Sequence, residues 1–333
     1  MIRIRGPVGT FKALLTPGPS DLEALQARED LRLMPLQRNA RGILEDLPSL
    51  GPADYTTGNA CVTCTRHEAV GAVLPLGEGT GLFGAPDGMR WLDASWRHSV
   101  AVLSRGMDFA EVPPCLLFFG DTGALAHRIT LPDPATWGAF VDLVRRHRGC
   151  WNCLRHQADP PRPGAAADCP IWMLREAWCG AESERDLEAR LEGLGLGRIL
   201  ALRALEGLYT TPIQAGDLAS VLESLAASGL PVHAQLGNRH CTQILESPLE
   251  GLKLEAHGWE IRMAQATLRL DPGRVDSLWF VVEPRPEGER HRFECYDADG
   301  ERVLALSRPH GPCPPVHLGW ERLISRFEDR RPR

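Results

Sequence analysis

The chain has almost no lysine: of its 37 basic residues, only Lys12 and Lys253 are lysines. Anion contacts must therefore come from guanidinium groups or backbone donors. Long uncharged apolar runs are missing too. Although 43% of the residues are hydrophobic, no run approaches the ~20 residues that a membrane span needs. No basic start leads into an apolar signal segment, so the expectation is a cytoplasmic protein that does not insert into membranes. The net charge of −6 gives no overall bias towards nucleic acid. No Gly-rich phosphate loop, nucleophile elbow or His-Glu-x-x-His motif appears, and catalysis by side chains alone has no support. The 10 cysteines are too dilute to staple a mini-domain and are expected as reduced thiols.

What is present reads as an α+β protein built by internal duplication. Residues 1–50 read as a helical lead-in, with Ser20 or Asp21 as an N-cap in "SDLEALQARED". From about Tyr55 to Leu131, short apolar runs broken by Gly, Pro and Asp predict an antiparallel sheet. "DPATWGAFVDLVRRHRG" predicts a helix capped at Asp133. A Pro/Ala/Gly-rich linker occupies 158–170, helices follow, and strands resume to about Ser307. In "GDLASVLESLAASG", Asp217 is placed as cap and Gly229 as stop.

Three segments recur in the same order: "CLLFFGDTGALAHRITL" with "RFECYDADGERVLALS", "TRHEAV" with "NRHCTQ", and "GMRWLDASWRHSVAV" with "TLRLDPGRVDSLWFVV". They predict two similar lobes, each an antiparallel sheet covered by helices, at 51–157 and 216–326. The linker and helix pair fill 158–215, and 327–333 form a tail. Strand alternation places Arg239 and Cys241 on one face and His240 on the other.

Two features carry metal chemistry. His147, Cys150, Cys153 and His156 in "HRGCWNCLRH" recur every three residues, and two thiolates with two imidazoles make a sensible tetrahedral zinc set. Cys61 and Cys64 form a second pair, although their odd spacing on a strand sends them to opposite faces unless a turn intervenes. Buried, inert thiols are the competing reading of both.

The second half resembles the bacterial hemin-degrading factors, the HemS/ChuX-like proteins. "GLPVHAQLGNRHCTQI" is similar to a strand signature with Gly-Asn-Arg-Gly-Cys-x-Gln-Ile, and "FECYDADGERVLAL" looks like the family's Phe-Asp-Ala-Asp-Gly hairpin. In the first half, "TCTRHEAV" and "MRWLDASW" have counterparts as well. "WCGAESERDLEARLEGLGLGRILALRAL" is similar to the helix pair that carries the family's haem-ligating histidine. The resemblance implies a duplicated α+β fold that binds haem, with a role in haem transfer or breakdown.

It also exposes departures. Placing the motifs without gaps puts Arg90 at the family's pocket arginine, but Arg185 where the ligating histidine belongs. The propionate-facing lysine falls on Glu283, and the tyrosine and arginine near the last strand fall on Ser307 and His310. Substitute ligands for the iron are sought in Cys179, beside Trp178, and in His310. The leading expectation is a haem-binding protein for intracellular trafficking or degradation, served by a haem importer or a downstream haem oxygenase. If the protein degrades haem, the chemistry is iron-borne oxygen activation. The alternatives are a scaffold or regulatory binding protein that kept the fold and lost haem, with a structural zinc, and a carrier of another tetrapyrrole.

Overall fold

The computed structural model describes residues 21–37, 39–69, 73–75, 80–83, 88–92, 96–104, 113–120, 122–151, 169–255, 258–286, 288–309 and 314–328; for 73–75, 80–83 and 88–92 it describes the backbone alone. The chain divides into two compact units. The first is Met1–Asp159 with Gly237–Ile244 and Gln265–Leu268; the second is Pro160–Leu236 with Leu245–Ala264 and Arg269–Arg333.

In the first unit an antiparallel sheet runs in the order β1 (Leu31–Pro35), β7 (His98–Ser104), β8 (Cys115–Phe119), β9 (Leu125–Thr130), β2 (Pro52–Gly58) and β3 (Val62–Ala69). Strands β4 (Val73–Pro75), β5 (Thr80–Phe83) and β6 (Gly88–Leu92) form a meander, and β6 pairs with the start of β12 (Cys241–Glu255). Strand β8 is buried along its whole length because both faces are covered. Leu116 and Phe118 pack with helices α2 (Ala40–Asp46) and α3 (Trp137–Arg146). Leu117 and Phe119 pack with Leu22 and Leu25 of α1 (Asp21–Gln26). The expected helical lead-in is thus part helix and part sheet, since β1 contributes an edge strand. Asp133 does act as a cap, accepting from Ala135 N in the short turn before α3.

The second unit holds helices α4 (Ile171–Cys179), α5 (Glu184–Gly193), α6 (Arg198–Ala204), α7 (Ala215–Ser228) and α8 (Pro314–Glu328). Its antiparallel sheet runs β10 (Thr210–Pro212), β15 (Ser277–Glu283), β16 (Arg290–Tyr296), β17 (Arg302–Ser307) and β11 (Pro231–Asn238). Strands β13 (Gly258–Met263) and β14 (Ala266–Leu270) continue the chain, with β13 paired to β12. Gly229 adopts φ 63° and ends α7, as its sequence position predicts, whereas the N-cap is Gln214, with Asp217 completing a capping box.

Alternation along the second sheet separates two environments. Phe280 and Phe293 meet Phe327 of α8 on one face. On the other, Trp279, Val281 and Tyr296 pack with Leu174, Leu187 and Leu202 of α4, α5 and α6. That second face also carries Glu283, Arg292 and Glu294, which are 0%, 1% and 0% exposed. Among the described residues, no helix is long and apolar enough to cross a membrane.

Candidate functional site

Asn238 corrects the reading of the Arg239-His240-Cys241 triplet. β11 ends at Asn238 and β12 begins at Cys241, so Arg239 and His240 occupy a turn and strand alternation does not apply to them. Asn238 Oδ1 accepts from His240 N and Cys241 N at 3.0 and 3.1 Å, the side-chain turn that asparagine favours. Asn59 does the same one half earlier, accepting from Cys61 N and Val62 N at 3.0 and 2.9 Å. The two turns also hold each other. Asn59 Nδ2 donates to Gly237 O at 2.6 Å, and Asn238 Nδ2 donates to Gly58 O and Ala126 O at 2.9 Å.

The true counterpart of "GNRHC" is therefore "GNAC", not "TRHEAV", and the Gly-Asn dipeptide is the signal that sequence reasoning passed over. A Cβ added at Gly237 would fall on Cys241 O, so glycine is required for this close approach. Asn238→Ala removes both acceptor and donor contacts and is expected to cost about 2–4 kcal/mol, measured by urea unfolding with the fluorescence of Trp96 among the probes. Trp96 reports directly, because its Nε1 donates to His240 O at 2.8 Å.

Below this turn lies a buried polar cluster. Thr57 Oγ1 is 2.8 Å from His127 Nδ1 and accepts from Gln243 Nε2 at 2.9 Å; Cys241 Sγ lies 3.5 Å from the same hydroxyl. Cys241 Sγ and His127 Nδ1 are 4.0 Å apart, which invites comparison with a thiolate–imidazolium pair. Electrostatics opposes it. Burial pushes His127 down to about 3, helped by Arg128, while burial lifts Cys241 to about 12 against the pull of Thr57. Both groups are neutral at pH 7, so the cluster is structural. Cys64 is likewise fully buried, and burial lifts it to about 12.

The predicted ligand residues scatter. Arg90 lies on β6 in register with Leu82 and Thr242, and its side chain lies outside the described residues. Arg185 is exposed in the first turn of α5, which Ser183 caps by accepting from Asp186 N at 3.1 Å. Trp178 cannot face a ligand: it is fully buried in the second unit's core, and its Nε1 donates to Val282 O at 2.9 Å. Cys179 is exposed and its thiol donates to Tyr209 Oη at 3.1 Å. His310 lies outside the described residues, as do Cys153 and His156 of the zinc set. Of that set's other members, Cys150 is exposed, and His147 Nε2 meets Asp46 Oδ2 at 2.8 Å, a hydrogen bond that, with Arg146, lowers the Asp46 carboxyl.

Glu283 takes part in a network that sequence reasoning missed. Arg198 Nη2 reaches Glu283 Oε1 at 2.5 Å and Glu294 Oε1 at 2.6 Å, while its Nε donates to Glu294 Oε2 at 3.0 Å. Arg285 donates to Glu283 Oε2 at 2.7 Å, and Tyr296 Oη donates to Glu294 Oε2 at 2.6 Å. Arg292 and Arg302 grip the two oxygens of Glu184, each at 2.5 Å. Burial alone would raise Glu294, but Arg198 first, then Arg302, bring it down to about 2. Beside the network, Leu191, Leu196, Arg198, Ile199 and Arg203 line a pocket of about 520 Å³ with the 297–301 turn.

A guanidinium at 185 has no lone pair to offer iron. Glu283 and Ser307 are 0% and 2% exposed, and Glu283 is paired with Arg198 and Arg285.

A profile described as "Haemin-degrading HemS.ChuX domain" matches residues 195–327. No curated protein matches the sequence significantly. Among solved structures, the chain is similar to holo-PhuS, a heme-binding protein from Pseudomonas aeruginosa, with a TM-score of 0.80 and 25% identity over 93% of this chain and 89% of that one. Apo-PhuS gives 0.78 and 25% over 91% and 90%. ChuS, an E. coli heme oxygenase, gives 0.77 over 92% and 93%, a likeness of fold alone at 19% identity. Residues 195–327 thus match the HemS/ChuX domain, and the chain as a whole is similar in fold to PhuS.

Proposed function

We propose that the protein binds haem as cargo in the cytoplasm, for intracellular trafficking or breakdown, and that its iron is held by a group other than the one at position 185. The likeness to PhuS at 25% identity over 93% of the chain carries this reading. Arg90 is the residue assigned to face the ligand, since guanidinium suits a planar anion and lysine is almost absent. His310 is the preferred axial ligand, with the exposed thiol of Cys179 as the other donor that iron accepts. A haem importer would supply the cargo, and a downstream oxygenase would receive it.

One observation favours a competing reading, in which the fold persists without haem. Where the family places propionate-facing lysine and tyrosine, this chain has Glu283 and Ser307, both buried, with Glu283 bound into an internal ion network. Titrating the purified chain with hemin separates the two. Saturable binding with a defined Soret band, weakened at least about tenfold in Arg90→Ala and changed in band position in His310→Ala, is the expected result. A spectrum indistinguishable from free hemin at every protein concentration would establish the competing reading instead.

A further inference from the structure

Glu289, His291 and Glu328 belong to none of the features above, and their donor atoms all lie within 4.8 Å of one another. His291 Nε2 stands 2.9 Å from Glu328 Oε1 and 3.6 Å from Glu289 Oε2. A divalent ion held at about 2.0–2.2 Å by imidazole nitrogen and carboxylate oxygen spaces its donors about 3.0 Å apart in an octahedron and about 3.4 Å apart in a tetrahedron. The two spacings to His291 bracket those values.

The donors are also held in place. Glu289 and His291 are two apart at the entry to β16, which turns their side chains to the same side of an extended chain. The His291 ring stacks on Phe280 at 5.8 Å with an interplanar angle of 13°. Phe280 also packs on Phe327 at 5.4 Å, and Phe327 is fully buried immediately before Glu328. One aromatic cluster thus fixes both the imidazole and the end of α8 that brings Glu328. Two carboxylates offset the charge of a divalent ion, and the exposure of Glu289 leaves a path for entry and for coordinated water. Among the described residues, no other group of histidine, cysteine and carboxylate donors converges so closely.

We propose that Glu289, His291 and Glu328 bind a first-row divalent cation, with zinc the ion best matched to one imidazole and two carboxylates. Bound there, it ties the end of α8 to β16. The site shares no residue with those assigned to haem or with the set at 147–156.

The full chain, stripped with EDTA and titrated calorimetrically with zinc alone, tests this. Saturable binding is expected, weakened at least about tenfold in His291→Ala and in Glu328→Gln, with a zinc-dependent rise in melting temperature that both variants lose. Glu289 is exposed, so Glu289→Gln keeps the fold and decides the matter if His291→Ala does not fold. Absence of binding to the wild-type chain, or equal binding by wild type and Glu289→Gln, overturns the proposal. So does zinc binding that survives all three substitutions and disappears in Cys150→Ser.

Discussion

Replacing Arg198 with methionine should destabilise the second unit by about 3–5 kcal/mol, the usual cost of removing one partner from a buried ion network. The reason is geometric. Among the described residues, Arg198 is the one group that hydrogen-bonds to both Glu283 and Glu294, at 2.5 and 2.6 Å, and both carboxylates are completely buried. Without it Glu294 retains Tyr296, Arg292 and Arg302, and Glu283 retains Arg285, but the two carboxylates then face each other across a site that has lost its central cation. The triple variant Arg198→Met, Glu283→Gln, Glu294→Gln should recover much of the loss, because it removes the charges together. Guanidinium unfolding of the three proteins checks both statements. Equal stability of Arg198→Met and wild type would show that the network contributes nothing net.

The same groups set a pH window. The Glu294 carboxyl, lowered from 4.5 to about 2, contributes stability that is present above 4.5 and is lost as pH falls towards 2. His127, lowered from 6.5 to about 3, also favours the folded state above its unfolded value, and its contribution declines from 6.5 downwards. Acid should therefore weaken the first unit at a higher pH than the second. Circular dichroism with Trp fluorescence along a pH series would detect this, and His127→Gln should remove the earlier phase.

Local chemistry explains which features were legible. Period-two patterning and Asp-x-Gly turns are written in neighbouring residues, and so the sheets, the hairpins and the duplication could be read directly. The clasp between Asn59 and Asn238 could not, because it joins residues 178–180 positions apart. Even so, the paired Gly-Asn dipeptides were visible. The ion network is the harder case. Glu184, Arg198 and Arg302 lie in three separate segments, and only the packing of α5 and α6 on the sheet brings them together. In β16, Arg292, Glu294 and Tyr296 alternate with Phe293 and Cys295, all of them buried, so both faces of the strand are covered. A sequence can show that a polar face exists but not that a helix lies on it. Trp178 is buried while its neighbour Cys179 is exposed because adjacent helical positions point about 100° apart.

Arg185→His should change the ligand chemistry of this chain by offering an imidazole nitrogen on α5. The position is exposed, lies in the first turn of α5, and is framed by a Ser183 cap that a substitution at 185 leaves intact. An arginine side chain presents hydrogen-bond donors only and offers iron no ligand atom, whereas neutral imidazole does. If the helix pair is aligned with the family's as the motifs indicate, Arg185→His should move the ferric Soret band to that of a histidine-ligated haem and tighten hemin binding at least about tenfold. It should also make that affinity fall below pH 6.5, as protonation of the imidazole competes with iron. Stability should scarcely change, because nothing buried is disturbed. A histidine variant whose spectrum and affinity match wild type would mean that haem, if bound, does not reach α5, and the search for the axial ligand would then narrow to His310 and Cys179.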